Sequence, residues 1–250
     1  MIGLIEKALT FKPNKVDHGA LRDRPHSRLR IRGAHGLDLD AAWIAHPSPI
    51  AALLIHGNRH NITKFADHYD LFATLGISCL TFDFPGYGQS PGCPTEESLY
   101  KSAAAAYSFL RDDLKYSADR IVIYGCSLGG AVALNLVQDS AAACLITEST
   151  FTNSREMAAH LYPWLPLRLL LPNRFTNSTK IQKVTMPHLL IHGSHDEVVP
   201  VHMAHTLFDM AQEPKKLVIV PDASHTDTIP SGGEKLREEI STFIRKATLQ

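Results

Sequence analysis

Ser127, Asp196 and His225 each stand just beyond the end of an apolar run. Ser127 lies in Gly125-Cys126-Ser127-Leu128-Gly129-Gly130, between the β-branched run Ile121-Val122-Ile123 and the helical pattern Ala131 to Val137. A strand, a sharp turn and a helix around Gly-x-Ser-x-Gly project the serine hydroxyl from the end of a sheet. Gly125 and Gly129 leave no Cβ where strand and helix crowd that turn. A neutral hydroxyl is a weak nucleophile, so it needs a base to take its proton and a carboxylate to orient the base. His225 suits the first role and Asp196 the second, with Glu148, after the earlier strand, as the alternative acid. The backbone N–H groups of Leu128, at the helix start, and of Asn58, after the His56-Gly57 turn, are the expected donors to a developing oxyanion. No residue is assigned to a metal or a cofactor.

These residues need a sheet whose strands all end on one side. Arg28 to Arg32 and Leu37 to Ala45 alternate polar and apolar, which predicts an antiparallel hairpin at a sheet edge. Ile50 to Ile55, Ile77 to Phe82, Ile121 to Tyr124, Ala142 to Thr147, His188 to His192 and Lys216 to Val220 are continuously apolar or nearly so, as strands buried on both faces are. Helical patterns between them, about 63–75, 95–111 and 131–137, with a last helix over about 233–246, complete a βα rhythm. The fold class expected is α/β, a mostly parallel sheet of about eight strands with helices on both faces.

Residues 151–185 break the rhythm. Tyr162, Trp164, Leu165, Leu167, Leu169 and Leu170, punctuated by Pro163, Pro166 and Pro172, predict a small cap over the strand ends, within a single domain spanning 1–250. Trp164 and Tyr87, the latter in the glycine-rich loop after the Ile77 to Phe82 strand, are the expected substrate contacts. The histidines His56 and His60 flank a glycine turn and read as loop hydrogen-bonding groups, and His192, His195, His202 and His205 read as surface or loop residues.

The chain of 250 residues is long enough for one large core, and its 25 acidic and 25 basic residues balance. That balance offers no footprint for nucleic acid. Cys79, Cys93, Cys126 and Cys144 lack metal spacing and read as reduced thiols in a cytoplasmic setting. Residues 1–9 are too short and too charged for a signal peptide or an integral membrane anchor.

Ser127, Asp196 and His225 occur in the chain order of α/β-hydrolase triads. With His56-Gly57-Asn58, Gly86-Tyr87-Gly88-Gln89-Ser90, Glu148-Ser149-Thr150-Phe151, Gly193-Ser194-His195-Asp196 and His225-Thr226-Asp227-Thr228, the sequence from about Arg28 onward resembles the α/β-hydrolase superfamily. It is similar to the small abhydrolase-domain proteins and to serine aminopeptidase and prolyl-oligopeptidase-like hydrolases. Arg59-His60 departs from the small residues usual after His-Gly-Asn. The resemblance implies a serine hydrolase, esterase-, lipase- or thioesterase-like, cleaving a small ester or thioester, and the apolar residues of the cap add the expectation of an apolar acyl or alkyl group on that substrate. An aminopeptidase-like amide hydrolase and a non-catalytic binding module on the same fold are the alternatives. In the first of these, Glu148 or Glu197 would hold the substrate's ammonium group.

Overall fold

The computed structural model describes residues 10–33, 36–164 and 172–249. Eight strands form one sheet: β1 (Ser27–Arg32), β2 (Asp38–Ile44), β3 (Ala51–Ile55), β4 (Ser78–Phe82), β5 (Ile121–Cys126), β6 (Cys144–Glu148), β7 (His188–Gly193) and β8 (Lys215–Val220), in the order β1-β2-β4-β3-β5-β6-β7-β8. The β1–β2 and β2–β4 pairs are antiparallel and the others parallel. The alternating hairpin therefore lies at the edge, and the apolar runs β3 and β5 lie at the centre. Seven α-helices are described: α1 (Ala66–Thr74), α2 (Glu96–Ser108), α3 (Leu128–Leu136), α4 (Ser154–Leu161), α5 (Asn177–Lys180), α6 (Val201–Met210) and α7 (Thr228–Thr248).

Strand period decides which side chain meets which helix. Leu53, Ile55, Leu80, Phe82, Ile121 and Ile123 pack into one core with Leu99 of α2, Leu134 of α3 and Leu207 of α6. Leu54, Cys79, Val122, Tyr124, Cys126, Ile146 and Ile191 point the other way, against Tyr69 and Phe72 of α1 and Ile240 and Ile244 of α7. Both sheet faces are covered, so strands without polar alternation are stable where they are.

Helix ends depart locally from expectation. A reciprocal hydrogen-bonded cap between Thr95 and Ser98 starts α2, and the helix runs on into a π turn at Phe109–Asp113. The last helix starts before Gly233, whose φ of 55° interrupts it. Of the apolar cap residues, Leu165, Leu167, Leu169 and Leu170 lie outside the described residues. Among the described residues, no helix is long and apolar enough to cross a membrane.

Candidate active site

β5 ends at Cys126, and the chain turns so sharply into α3 that Ser127 takes φ 53° and ψ −114°. A side chain in this left-handed region is strained, and the surroundings must hold it there. Ser127 N–H donates to the Glu148 carbonyl at 2.7 Å. The Thr150 hydroxyl donates to the Ser127 carbonyl at 2.8 Å. The close approach of α3 to β3 is what requires Gly129, since a Cβ there would meet the Ile55 carbonyl oxygen at 2.1 Å.

The structure brings Ser127, His225 and Asp196 into one chain of contacts. His225 Nε2 lies 3.1 Å from Ser127 Oγ, and His225 Nδ1 lies 2.8 Å from Asp196 Oδ2. With Nδ1–H directed at the carboxylate, Nε2 presents its lone pair to the hydroxyl. Asp196 Oδ1 accepts the N–H groups of Val198 and Val199 at 2.9 and 2.8 Å, and Oδ2 lies 3.2 Å from His192 Nε2. Burial opposes the charge on Asp196. Hydrogen bonds from His192, His225 and the backbone outweigh it and hold the carboxyl well below the usual carboxylate range. His192 is buried against the acid, which corrects its reading as a surface or loop residue; His195, His202 and His205 are exposed.

Leu128 is the first residue of α3, so its N–H has no acceptor one turn back within the helix. Asn58 lies across the turn, but its side chain is engaged elsewhere. Nδ2 donates to the Thr10 carbonyl at 2.7 Å, and Oδ1 accepts from Lys12 N–H at 3.0 Å and from the Tyr87 hydroxyl at 2.7 Å. Only its backbone N–H remains for the oxyanion role. Tyr87 is fully buried and clamps this loop, which corrects its reading as a substrate contact. Trp164 is 74% exposed and stands edge-to-face on Tyr162, which lines the cavity while Trp164 does not. His56 is buried and neutral, pushed down to about 4 by burial, and its Nε2 accepts Phe84 N–H at 3.1 Å.

A cavity of about 800 Å³ opens over Ser127 and His225. Its apolar wall comes from Phe65, Leu128, Phe151, Met157, Leu161 and Val199. Residues 10–24, which read as an irregular lead-in, supply Thr10, Lys12, His18 and Arg24 to another wall. Arg59, His60 and Lys64 join them, so the unusual residues after His-Gly-Asn face the site.

The resemblance implies a serine hydrolase, and in the sequence Cys126 reads as a reduced thiol with no chemical role. That class name is corrected by a second nucleophile–histidine–carboxylate set at the same elbow. Cys126, His68 and Glu148 are all buried, and their polar atoms lie within 4.8 Å of one another. Cys126 Sγ lies 3.4 Å from His68 Nε2 and 3.6 Å from Glu148 Oε2, which is itself 2.7 Å from His68 Nε2. Tyr124 and Thr228 also donate to the Glu148 carboxylate. Burial opposes the charge on Glu148, but His68, Thr228 and Tyr124 bring its carboxyl down to about 2. Burial, then the Glu148 carboxylate, push the Cys126 thiol well above its ordinary value. His68 was missed in the sequence because 58 positions separate it from Cys126, and only the packing of α1 on the sheet brings them together.

Residues 52–179 match the profile of the alpha/beta hydrolase family. The uncharacterized protein Rv2307c of Mycobacterium tuberculosis is 36% identical over 199 residues, covering 80% of this chain and 71% of that protein. The uncharacterized membrane protein YNL320W of Saccharomyces cerevisiae is 32% identical over 88% of this chain and 80% of its own length. The Pyrococcus furiosus esterase Pf2001 superposes with a TM-score of 0.81 at 18% identity, over 96% of this chain and 98% of that one, which shows the shared fold. By its match over more than half its length and by its relatives, the chain belongs to the alpha/beta hydrolase family.

Proposed function

We propose that the chain hydrolyses a small acyl compound at the elbow, with Ser127, His225 and Asp196 as the reacting and proton-handling groups. The observation that carries this reading is the continuous contact from Ser127 Oγ through His225 to Asp196, opening on the cavity. Ser127 Oγ attacks the carbonyl carbon as its proton passes to His225 Nε2. Asp196 holds the ring and stabilises its charged form, and the N–H groups of Leu128 and Asn58 receive the oxyanion. His225 then returns the proton to the leaving group, and water repeats the sequence in reverse to free the acid. The apolar wall, to which Phe151, Met157, Ala158, Leu161, Tyr162 and Pro172 of the expected cap contribute, favours an acyl or alkyl chain. The free state of all four cysteines supports a reducing, cytoplasmic setting.

A second reading has Cys126 as nucleophile with His68 and Glu148 as its partners, and the compactness of that set favours it. The carboxylate beside the thiol works against it, because thiolate is the attacking form and a neighbouring negative charge disfavours thiolate. Turnover of p-nitrophenyl esters by Ser127→Ala and by Cys126→Ala separates the two. The first reading expects a loss of at least about 1000-fold in kcat for Ser127→Ala and a far smaller one for Cys126→Ala. The reverse pattern establishes the cysteine reading.

A further inference from the structure

Cys126 and Glu148 close the parallel strands β5 and β6 as register partners, and His68 descends on them from the first turn of α1. Strand period puts both on the sheet face covered by α1 and α7, away from α3. Around a tetrahedral zinc ion, with bonds of about 2.0–2.3 Å, donor atoms stand about 3.3–3.8 Å apart. The sulfur–nitrogen and sulfur–oxygen separations, 3.4 and 3.6 Å, already match. The hydrogen-bonded nitrogen–oxygen pair at 2.7 Å has only to part slightly.

A thiolate, an imidazole and one carboxylate suit a zinc-type ion better than magnesium or calcium, which prefer all-oxygen shells. The hydroxyls of Tyr124 and Thr228 brace the carboxylate from outside, as outer groups do around metal ligands. All three ligand residues line the cavity that also holds Ser127 and His225, which leaves a fourth coordination position open to it.

We propose that Cys126, His68 and Glu148 form a binding site for a zinc-type divalent cation, set in the cavity wall beside the elbow. Binding releases the thiol proton to solvent and forms a sulfur–metal bond. The hydrogen that His68 Nε2 directs at Glu148 moves to Nδ1, which frees the Nε2 lone pair for the metal, and no electron changes hands. The Ser127 N–H donates to the backbone carbonyl of Glu148, so an occupied site bears directly on the elbow.

The test is a titration of the full chain with Co²⁺ followed by absorbance, with Zn²⁺ as competitor. The expected result is a thiolate-to-cobalt charge-transfer band with tetrahedral d–d bands, saturating at one equivalent and erased by zinc. Cys126→Ser should remove the charge-transfer band. Thr228→Val keeps all three ligands and should weaken cobalt binding about 10-fold or more. His68→Ala should weaken it further. No sulfur band at saturation, or a band that persists in Cys126→Ser and so arises at another thiol such as the exposed Cys93, overturns the site. Ion binding without the band places the metal at Ser127 and His225 or elsewhere, and overturns it equally. None of these readouts depends on which residue attacks the substrate.

Discussion

At the scale of single residues, the two carboxylates at the strand ends have been given different partners. Asp196 faces His225, and Glu148 faces His68, Tyr124 and Thr228. Asp196→Asn should therefore lower kcat on the order of 10,000-fold, because the amide cannot hold the Nδ1–H tautomer. Glu148→Gln should lower it far less and show instead as lost stability, since the amide replaces one of two acceptor oxygens with a donor that faces the donors of His68, Tyr124 or Thr228. Steady-state kinetics and thermal unfolding of the two variants check both outcomes. Tyr87 acts at one remove, through Asn58. Tyr87→Phe removes one hydrogen bond from the oxyanion loop, about 1 kcal/mol or roughly a fivefold loss in kcat, with KM little changed. A rise in KM alone would mean that Tyr87 touches substrate after all.

At the scale of elements, β5, its turn and α3 form a unit that tolerates little change. Gly129→Ala must drive a methyl group into the Ile55 carbonyl, so it should cost at least about 3 kcal/mol in urea unfolding. Behind the elbow, β7 begins at His188, which is fully buried and has a hydrogen-bond contact from Nε2 to Thr147 Oγ1 at 2.9 Å. Burial pushes this ring down to about 3, so the fold admits it only as the neutral form. The ordinary histidine value is about 6.5, and the unfolded chain takes up a proton below it. Stability is then complete above pH 6.5 and falls as pH drops towards 3, by up to about 1.4 kcal/mol per pH unit for this group. His188→Leu should flatten that fall between pH 6.5 and 4 in denaturant titrations, and an unchanged slope would contradict the assignment. The elements themselves were legible in the sequence, because uninterrupted runs such as Ala51 to Ile55 and alternating ones such as Arg28 to Arg32 mark buried and edge strands directly. Helix ends were less so. Gly233 reads as a helix start, whereas the chain is already helical from Thr228 and merely breaks there.

At the scale of the whole molecule, the cavity joins parts of the chain that sequence keeps far apart. The meeting of Ser127, Asp196 and His225 was legible because each sits at a strand end in a motif with its own turn chemistry. The lead-in wall at 10–24 and the His68 partner of Cys126 were not, because tertiary packing alone brings them in. Tyr87 and Trp164 were misplaced for the same reason, since an aromatic in a loop gives no sign of which way it faces. An apolar wall of this kind should reward each added methylene with about 0.8 kcal/mol, roughly fourfold in kcat/KM, until the space is full. Esters from acetyl to hexanoyl should show that rise, and Met157→Ala should extend it to longer chains; a flat series would remove the acyl preference. The most direct test of the central claim is covalent trapping. The native chain is treated with a fluorophosphonate, digested, and the modified residue located by mass spectrometry. One phosphonyl group on Ser127 is expected, lost in Ser127→Ala and retained in Cys126→Ala. A label on Cys126, or none on the elbow in a chain that still turns over ester, would contradict it.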